Sequence, residues 1–272
     1  MAEIVDIDSV RASGFGLTNE LPAHFDSGWH HHGKHQLLYA AEGTLHLDVD
    51  RSQWLFPPQR AAWIPAGAPH RVRAERPVAL CTAYLAPAIG AARPRGGPDP
   101  AATPMSDECC VFVVPPVARE MILYGARWGP DRDPDDAVAN RFFEALAALC
   151  GEWALQTRPW RLPVAQTPAL QKAMNHALAH LEQAPALEDA ARAAGLSPRT
   201  LARRFADEAQ TTWRAFLLTA RMLRAMELLA ENGAQVTATA YAVGFESVGA
   251  FSNAFKLFAG ESPREYRGKM GR

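Results

Sequence analysis

Residues 191–216 read ARAAGLSPRTLARRFADEAQTTWRAF, and the same pattern returns over 240–266 as AYAVGFESVGAFSNAFKLFAGESPREY. Ala191 and Gly195 match Ala240 and Gly244, 49 positions on; past the turn the offset is 50, pairing Ser197 with Ser247, Leu201 with Phe251, Phe205 with Phe255, Thr212 with Ser262 and Phe216 with Tyr266. Each copy reads as a short helix closed by glycine, a tight turn, a Ser N-cap and a second helix whose apolar residues fall four apart. This is a helix-turn-helix written twice.

Between the copies, residues 212–231 read TWRAFLLTARMLRAMELLAE, with Phe216, Leu217, Ala220, Leu223, Leu228 and Leu229 at helical spacing and no Gly or Pro inside. About 20 residues at about 1.5 Å each predict a strut of roughly 30 Å, close to the roughly 34 Å between successive major-groove openings on one face of B-DNA. One such turn is compatible with a packing hairpin. Two in register, joined by a helix of matching length, point to one chain that sets two recognition helices in adjacent grooves.

The stretches AARAAGLSPRTLARRF (190–205) and AYAVGFESVGAFSNAFKLFAGESPREYR (240–267) resemble the AraC-type family of bacterial transcription regulators, the resemblance running over about 169–267. It implies double-stranded promoter DNA as partner, RNA polymerase beside it, and a homodimer. It also implies that the first reader presents Ser197, Pro198, Arg199, Ala202, Arg203 and Arg204. Arg199 and Arg203 stand one helical turn apart, and Arg suits the bidentate acceptor edge of guanine. The second reader would present Glu246, Ser247, Val248, Gly249, Ser252, Asn253 and Lys256, with Arg264 and Arg267 beyond it. That face has few donors, so it is expected to read thymine methyls, one adenine through Asn253, or DNA shape. One departure stands out: Gln210 occupies the place where the family usually has Gly, which the second copy keeps as Gly260, so strain or a lengthened helix end is expected there.

Charge agrees with a DNA reader joined to something else. Residues 169–272 hold 13 Lys and Arg against 10 Asp and Glu, although the whole chain of 272 residues is formally −1. A 48% apolar, 21% charged composition suits a folded chain with two cores. The start, MAEIVDID, carries no apolar run behind a basic cluster, and the longest weakly polar stretch, 78–92, holds Pro87 and Gly90. No membrane span or secretion signal is expected, and a cytoplasmic location is. The four cysteines, Cys81, Cys109, Cys110 and Cys150, lack disulfide-scaffold or zinc-finger spacing. Cys109 and Cys110 are expected to fill a strand; sensing oxidants or soft metals is the alternative.

The first half follows another period. From 23 to 85 short apolar runs alternate with turn signals: HQLLYAAEG, TLHLDVDRS, QWLFPPQR, AAWIPAG, HRVRAERP and VALCTAYL. This spacing predicts a small antiparallel barrel or sandwich. A Pro/Gly-rich loop over 93–106 precedes a strand at 108–114. Helices follow, one carrying Met121, Ile122, Tyr124 and Ala126, the next Val138, Phe142, Leu146, Leu149 and Trp153 up to about residue 155. The stripe Phe142, Leu146, Leu149 and Trp153 is a candidate homodimer seam, packing on its own barrel being the alternative. RPWRLPVAQTP (158–168) reads as a linker. The expected class is α+β: an N-terminal antiparallel β-barrel with appended helices over 1–157, a linker over 158–168, and an all-α double helix-turn-helix domain over 169–272.

His30 and His32 are two apart, so an extended strand points both the same way, and Gln36 continues that parity. The turn Pro65-Ala66-Gly67-Ala68-Pro69-His70 can return a third imidazole to the same mouth. These residues resemble the cupin pattern His-x-His, three residues, Glu, six residues, Gly, then Pro-x-Gly-x-x-His, with Gln36 in the Glu place and Gly43 six residues on. The resemblance implies a cupin-like pocket in which His30, His32, Gln36 and His70 contact a small organic effector or hold one divalent transition metal, Zn, Ni, Co, Mn or Fe. Gln36 removes one negative charge, so weaker metal binding than in the Glu version is expected. His31, His35 and His46 are read as supporting or surface residues. The cupin resemblance also raises a metal-dependent dioxygenase or isomerase; the missing carboxylate and the attached DNA reader favour a sensor that is not an enzyme.

Overall fold

The computed structural model describes residues 5–49, 52–56, 60–89, 108–154, 161–231 and 233–270. The predicted loop over 93–106 and residues 155–160, with the boundary at 157 and the start of the predicted linker, lie outside them. The chain divides into two compact units, one of residues 1–50 and 56–159, the other of 51–55 and 160–272.

In the first unit, β1 (Gly14–Leu21), β3 (His35–Glu42), β6 (Arg60–Ile64), β8 (Val78–Leu85) and β9 (Cys110–Val113) form an antiparallel sheet in the order β1-β8-β3-β6-β9. β2 (Phe25–Asp26) and β4 (Leu45–Val49) flank β7 (His70–Ala74) in a second antiparallel sheet. The class is α+β with an antiparallel N-terminal module, as expected. β1 escaped the sequence reading, because Gly14 and Gly16 break up the apolar run of GFGLTNEL.

Strand alternation sorts the first sheet into two faces. Leu37, Tyr39, Ala61, Trp63, Cys81, Ala83 and Leu85 pack into a core with α1 (Pro116–Gly125) and α2 (Ala137–Ala154). Gln36, Leu38, Ile64, Thr82 and Tyr84 have the opposite parity. Phe15, Tyr84, Gln36 and Ile64 are ladder partners in sequence, a row across four strands. The stripe predicted as a dimer seam is committed to this unit's own core: Leu146 and Trp153 are buried in it, and Phe142 and Leu149 pack against it. Sheet and helices here carry complementary apolar faces within one chain, and burying them locally costs no association entropy.

In the second unit, β5 (Ser52–Phe56) pairs with β10 (Arg161–Pro163), Trp54 opposite Arg161, so the predicted linker carries a strand. α3 (Pro168–Ala179) opens on an N-cap by Thr167, whose side chain accepts from the Leu170 amide. α4 (Leu187–Ala193) and α5 (Pro198–Asp207) make the first helix-turn-helix, α7 (Val236–Ala242) and α8 (Val248–Ala259) the second, with α9 (Pro263–Met270) last. The hydroxyls of Ser197 and Ser247 accept from the amides of Thr200 and Ala250, the same cap in both copies.

The connecting α6 (Trp213–Leu229) has 17 residues, about 26 Å, three residues short of the predicted strut. Thr212 caps its start, and it ends at the 226–230 hydrogen bonds. Its two ends belong to different cores. Phe216 joins Leu201 and Phe205, while Met222, Met226 and Leu229 join Phe251, Phe255 and Tyr266. Gln210 adopts the left-handed conformation that Gly260 takes in the second copy, with φ of 50° against 83°. Helix α5 is not lengthened by it; it stops at Asp207, ten residues against twelve in α8.

Candidate functional site

Two regions carry the predicted site residues. In the first unit, the main chains of His30 and His70 exchange a pair of hydrogen bonds at 2.9 Å, and this single bridge sets their rings 4.2 Å apart. His32 follows two residues on, its ring 5.1 Å from that of His70. A bend at Gly33 and Lys34 interrupts the strand before Gln36, yet Gln36 still reaches His32, its Oε1 standing 3.1 Å from His32 Nε2. The four predicted pocket residues are therefore together, and one nitrogen from each of the three imidazoles lies within 4.8 Å of the others.

Each imidazole is tied to the chain through Nδ1: His30 to the carbonyl of Gly28 at 3.1 Å, His32 to that of Lys34 at 2.7 Å, His70 to that of Ala68 at 2.9 Å. A carbonyl only accepts, so each Nδ1 carries a proton, and a ring in its neutral form then presents a lone pair at Nε2. The buried Nε2 of His70 has no hydrogen-bond partner. Burial pushes the His70 pKa down to about 4 and lowers that of His32, so both rings are neutral near pH 7. Neutral imidazoles oriented by their other nitrogen are the donors that transition ions select, and an orphaned buried lone pair fits such an ion. The residues present fit a divalent metal.

Tyr84 carries no signal of its own in the sequence. Its hydroxyl lies 3.3 Å from Gln36 Nε2, and its ring stacks on Phe15 and meets His32 edge-on. Burial pushes its phenol up to about 12. Only the pairing of the strand at 78–85 with that at 35–42, which a linear reading cannot supply, could have identified it. His31 is exposed; the ring of His35 packs on Trp63, and its Nδ1 accepts from the amide of Ala66 in the turn that delivers His70.

In the second unit, Ser197, Pro198, Arg199, Ala202 and Arg203 are exposed along α5. Arg204 is placed otherwise, donating to the Thr167 hydroxyl at 2.7 Å and to Glu208 at 2.9 Å, a tie between α5 and the cap of α3. On α8 and its cap, Ser247, Gly249, Asn253 and Lys256 are exposed, Ser252 is half-buried, and Val248 packs on the core. Glu246 and Arg264 are exposed. Arg267 is exposed as well, but donates to the carbonyl of Ala234 at 3.0 Å. The four thiols are free; Cys81, Cys110 and Cys150 are buried, and Cys110 fills β9.

The helix-turn-helix domain family matches residues 190–269, and the cupin domain family matches residues 18–84. The chain is 26% identical over 242 residues to the HTH-type transcriptional regulator NimR of Escherichia coli K12, covering 89% of this chain and 82% of that one. It is 37% identical over 81 residues to the HTH-type transcriptional regulator GlxA of Rhizobium meliloti, 30% of this chain and 25% of the relative. A solved AraC-type transcriptional regulator structure from Chromobacterium violaceum aligns over 39% of this chain and 94% of that one, with 28% identity and a TM-score of 0.37.

Proposed function

We propose, on the premise that this chain is an AraC-type transcription regulator with a cupin domain ahead of its two helix-turn-helix units, that a metal ion or small molecule in the cupin pocket controls its action on promoter DNA. The observation that carries the pocket is the set of three imidazoles, each fixed through Nδ1 to its own backbone, with their free nitrogens converging. His30, His32 and His70, with Gln36, would hold one divalent ion among Zn, Ni, Co, Mn and Fe. The ion would supply a fixed charge that bound and free states of the pocket feel differently.

The double reader supports grip on two grooves through α5 and α8, with Arg199 and Arg203 carrying discrimination and Lys256 and Arg264 meeting phosphate. Gln36 stands where iron-oxygenase chemistry uses a carboxylate, which supports sensing over turnover. We place its action in the cytoplasm beside RNA polymerase, as a homodimer. Beside the partly buried Phe142 and Leu149 of α2, exposed Val117, Tyr124 and Val138 offer apolar surface for its seam. Among the described residues no helix is long and apolar enough to cross a membrane.

Elemental analysis of the purified full chain, beside a chelator-stripped control and with operator binding measured on both, tests the reading. About one ion per chain, with a change in operator binding when it is stripped, is the expected result. A full chain that takes up neither ion nor any small molecule, and binds operator identically in all conditions, would refute pocket control.

A further inference from the structure

Gln36 and Tyr84 are partners across the β3–β8 ladder, and the Gln36 amide touches two groups at once. Its Nε2 donates to the Tyr84 hydroxyl at 3.3 Å, while its Oε1 faces His32 Nε2 at 3.1 Å. The second contact is not a hydrogen bond. His32 holds its proton on Nδ1, against the Lys34 carbonyl, so Nε2 offers only a lone pair, and an amide oxygen offers only lone pairs. Two acceptors this close repel each other unless a cation lies against both. Imidazole nitrogen and carboxamide oxygen are both donors to divalent transition ions.

Turning the amide by 180° removes the conflict. Its –NH2 then donates to His32 Nε2, and its oxygen accepts from the Tyr84 O–H. Both orientations are satisfied at the far end only because a phenol hydroxyl donates as well as accepts. A Phe at 84 would satisfy neither. The Tyr84 ring is held between Phe15, at 5.1 Å, and His32, at 5.3 Å, so the hydroxyl is presented from a fixed position.

Resting on the reading of the histidine cluster as an ion site, we propose that Gln36 is the ion-responsive group of the pocket and Tyr84 the residue that positions it. With the ion held, the amide oxygen joins the three histidine nitrogens and –NH2 donates to Tyr84. Without it the amide reverses, and Tyr84 changes from acceptor to donor. A carboxylate at 36 has no –NH2 and could not exchange its ends in this way, so the amide sets both the neutral charge of the donor set and its ability to switch.

The test is a double-mutant cycle on the full chain, reading Zn²⁺ affinity by competition with a chromogenic chelator. Tyr84→Phe, which keeps both ring contacts, is expected to weaken Zn²⁺ about tenfold, the usual scale for removing a group that orients a ligand. In a Gln36→Leu background, or Gln36→Met should that variant fold poorly, Tyr84→Phe is expected to change nothing. An equal loss in both backgrounds, or no loss in the wild-type background, overturns the positioning role while leaving the ion site standing. A wild-type chain that takes up no Zn²⁺ removes the ion-site reading itself, and this inference with it.

Discussion

Gly244 lies so close to the carbonyl oxygen of Leu181 that no side chain fits between them: a Cβ there would overlap that oxygen and come within 2.9 Å of the Arg221 guanidinium. Its counterpart in the first helix-turn-helix, Gly195, has a comparable φ of 69°, but a methyl group added there would meet nothing within 4 Å. Equivalent positions in the repeat thus carry different duties. Gly195→Ala should cost about 1–2 kcal/mol from the left-handed backbone alone, and Gly244→Ala about 1–3 kcal/mol more through overpacking. Denaturant unfolding of the two variants decides it, and equal losses would contradict the difference in packing.

Gln210 sits at φ of 50°, and its side chain donates to the Asp207 carbonyl at 2.9 Å on an exposed helix end. Relieving a left-handed non-glycine residue gains more than that exposed bond contributes, even after the extra chain entropy of Gly. Gln210→Gly should therefore stabilise the chain by about 0.5–1 kcal/mol, read as a rise in the thermal midpoint; a fall would mean that the Asp207 bond dominates.

Arg203 and Arg204 are neighbours with opposite surroundings. Arg203→Ala should cost about 1–3 kcal/mol on the cognate operator and relax specificity there, and an equal loss on random DNA would make it a phosphate contact instead. Arg204→Ala should act on folding, at about 1 kcal/mol, by releasing Thr167 and Glu208. Fluorescence anisotropy on both DNAs, beside denaturation curves, separates the two effects.

Burial pushes the thiols of Cys81 and Cys110 up to about 11, from an ordinary 9.0, and raises those of Cys109 and Cys150 as well. Native cysteines should be unreactive toward a thiol reagent at pH 8 and react only on unfolding, contrary to an oxidant-sensing role for Cys109 and Cys110. The folded thiols hold their protons above the pH at which the unfolded chain releases them. Their contribution to stability is whole below about pH 9 and declines from there toward pH 11, visible as a falling thermal midpoint.

His30→Ala combined with His32→Ala should abolish ion uptake and the effector response, holding operator affinity at that of the chelator-stripped wild-type chain in every condition. Full induction in that double variant would exclude these imidazoles from control.

The amino-acid sequence by itself determined the doubled DNA reader, because helix periodicity, Ser caps and closing glycines are local properties, written within a few residues of where they act. It also determined the candidate pocket ligands, since His30, His32, Gln36 and His70 stand at a spacing that survives the bend at Gly33. What only the tertiary structure decided was partnership over long separations. Tyr84 meets Gln36 through strand pairing, Arg204 donates to Thr167, the α2 stripe packs on its own unit's core, and Gly244 is pressed against Leu181. A periodic pattern states which face of an element is apolar or polar; which other face meets it depends on how the elements pack, and packing is a property of the whole folded unit.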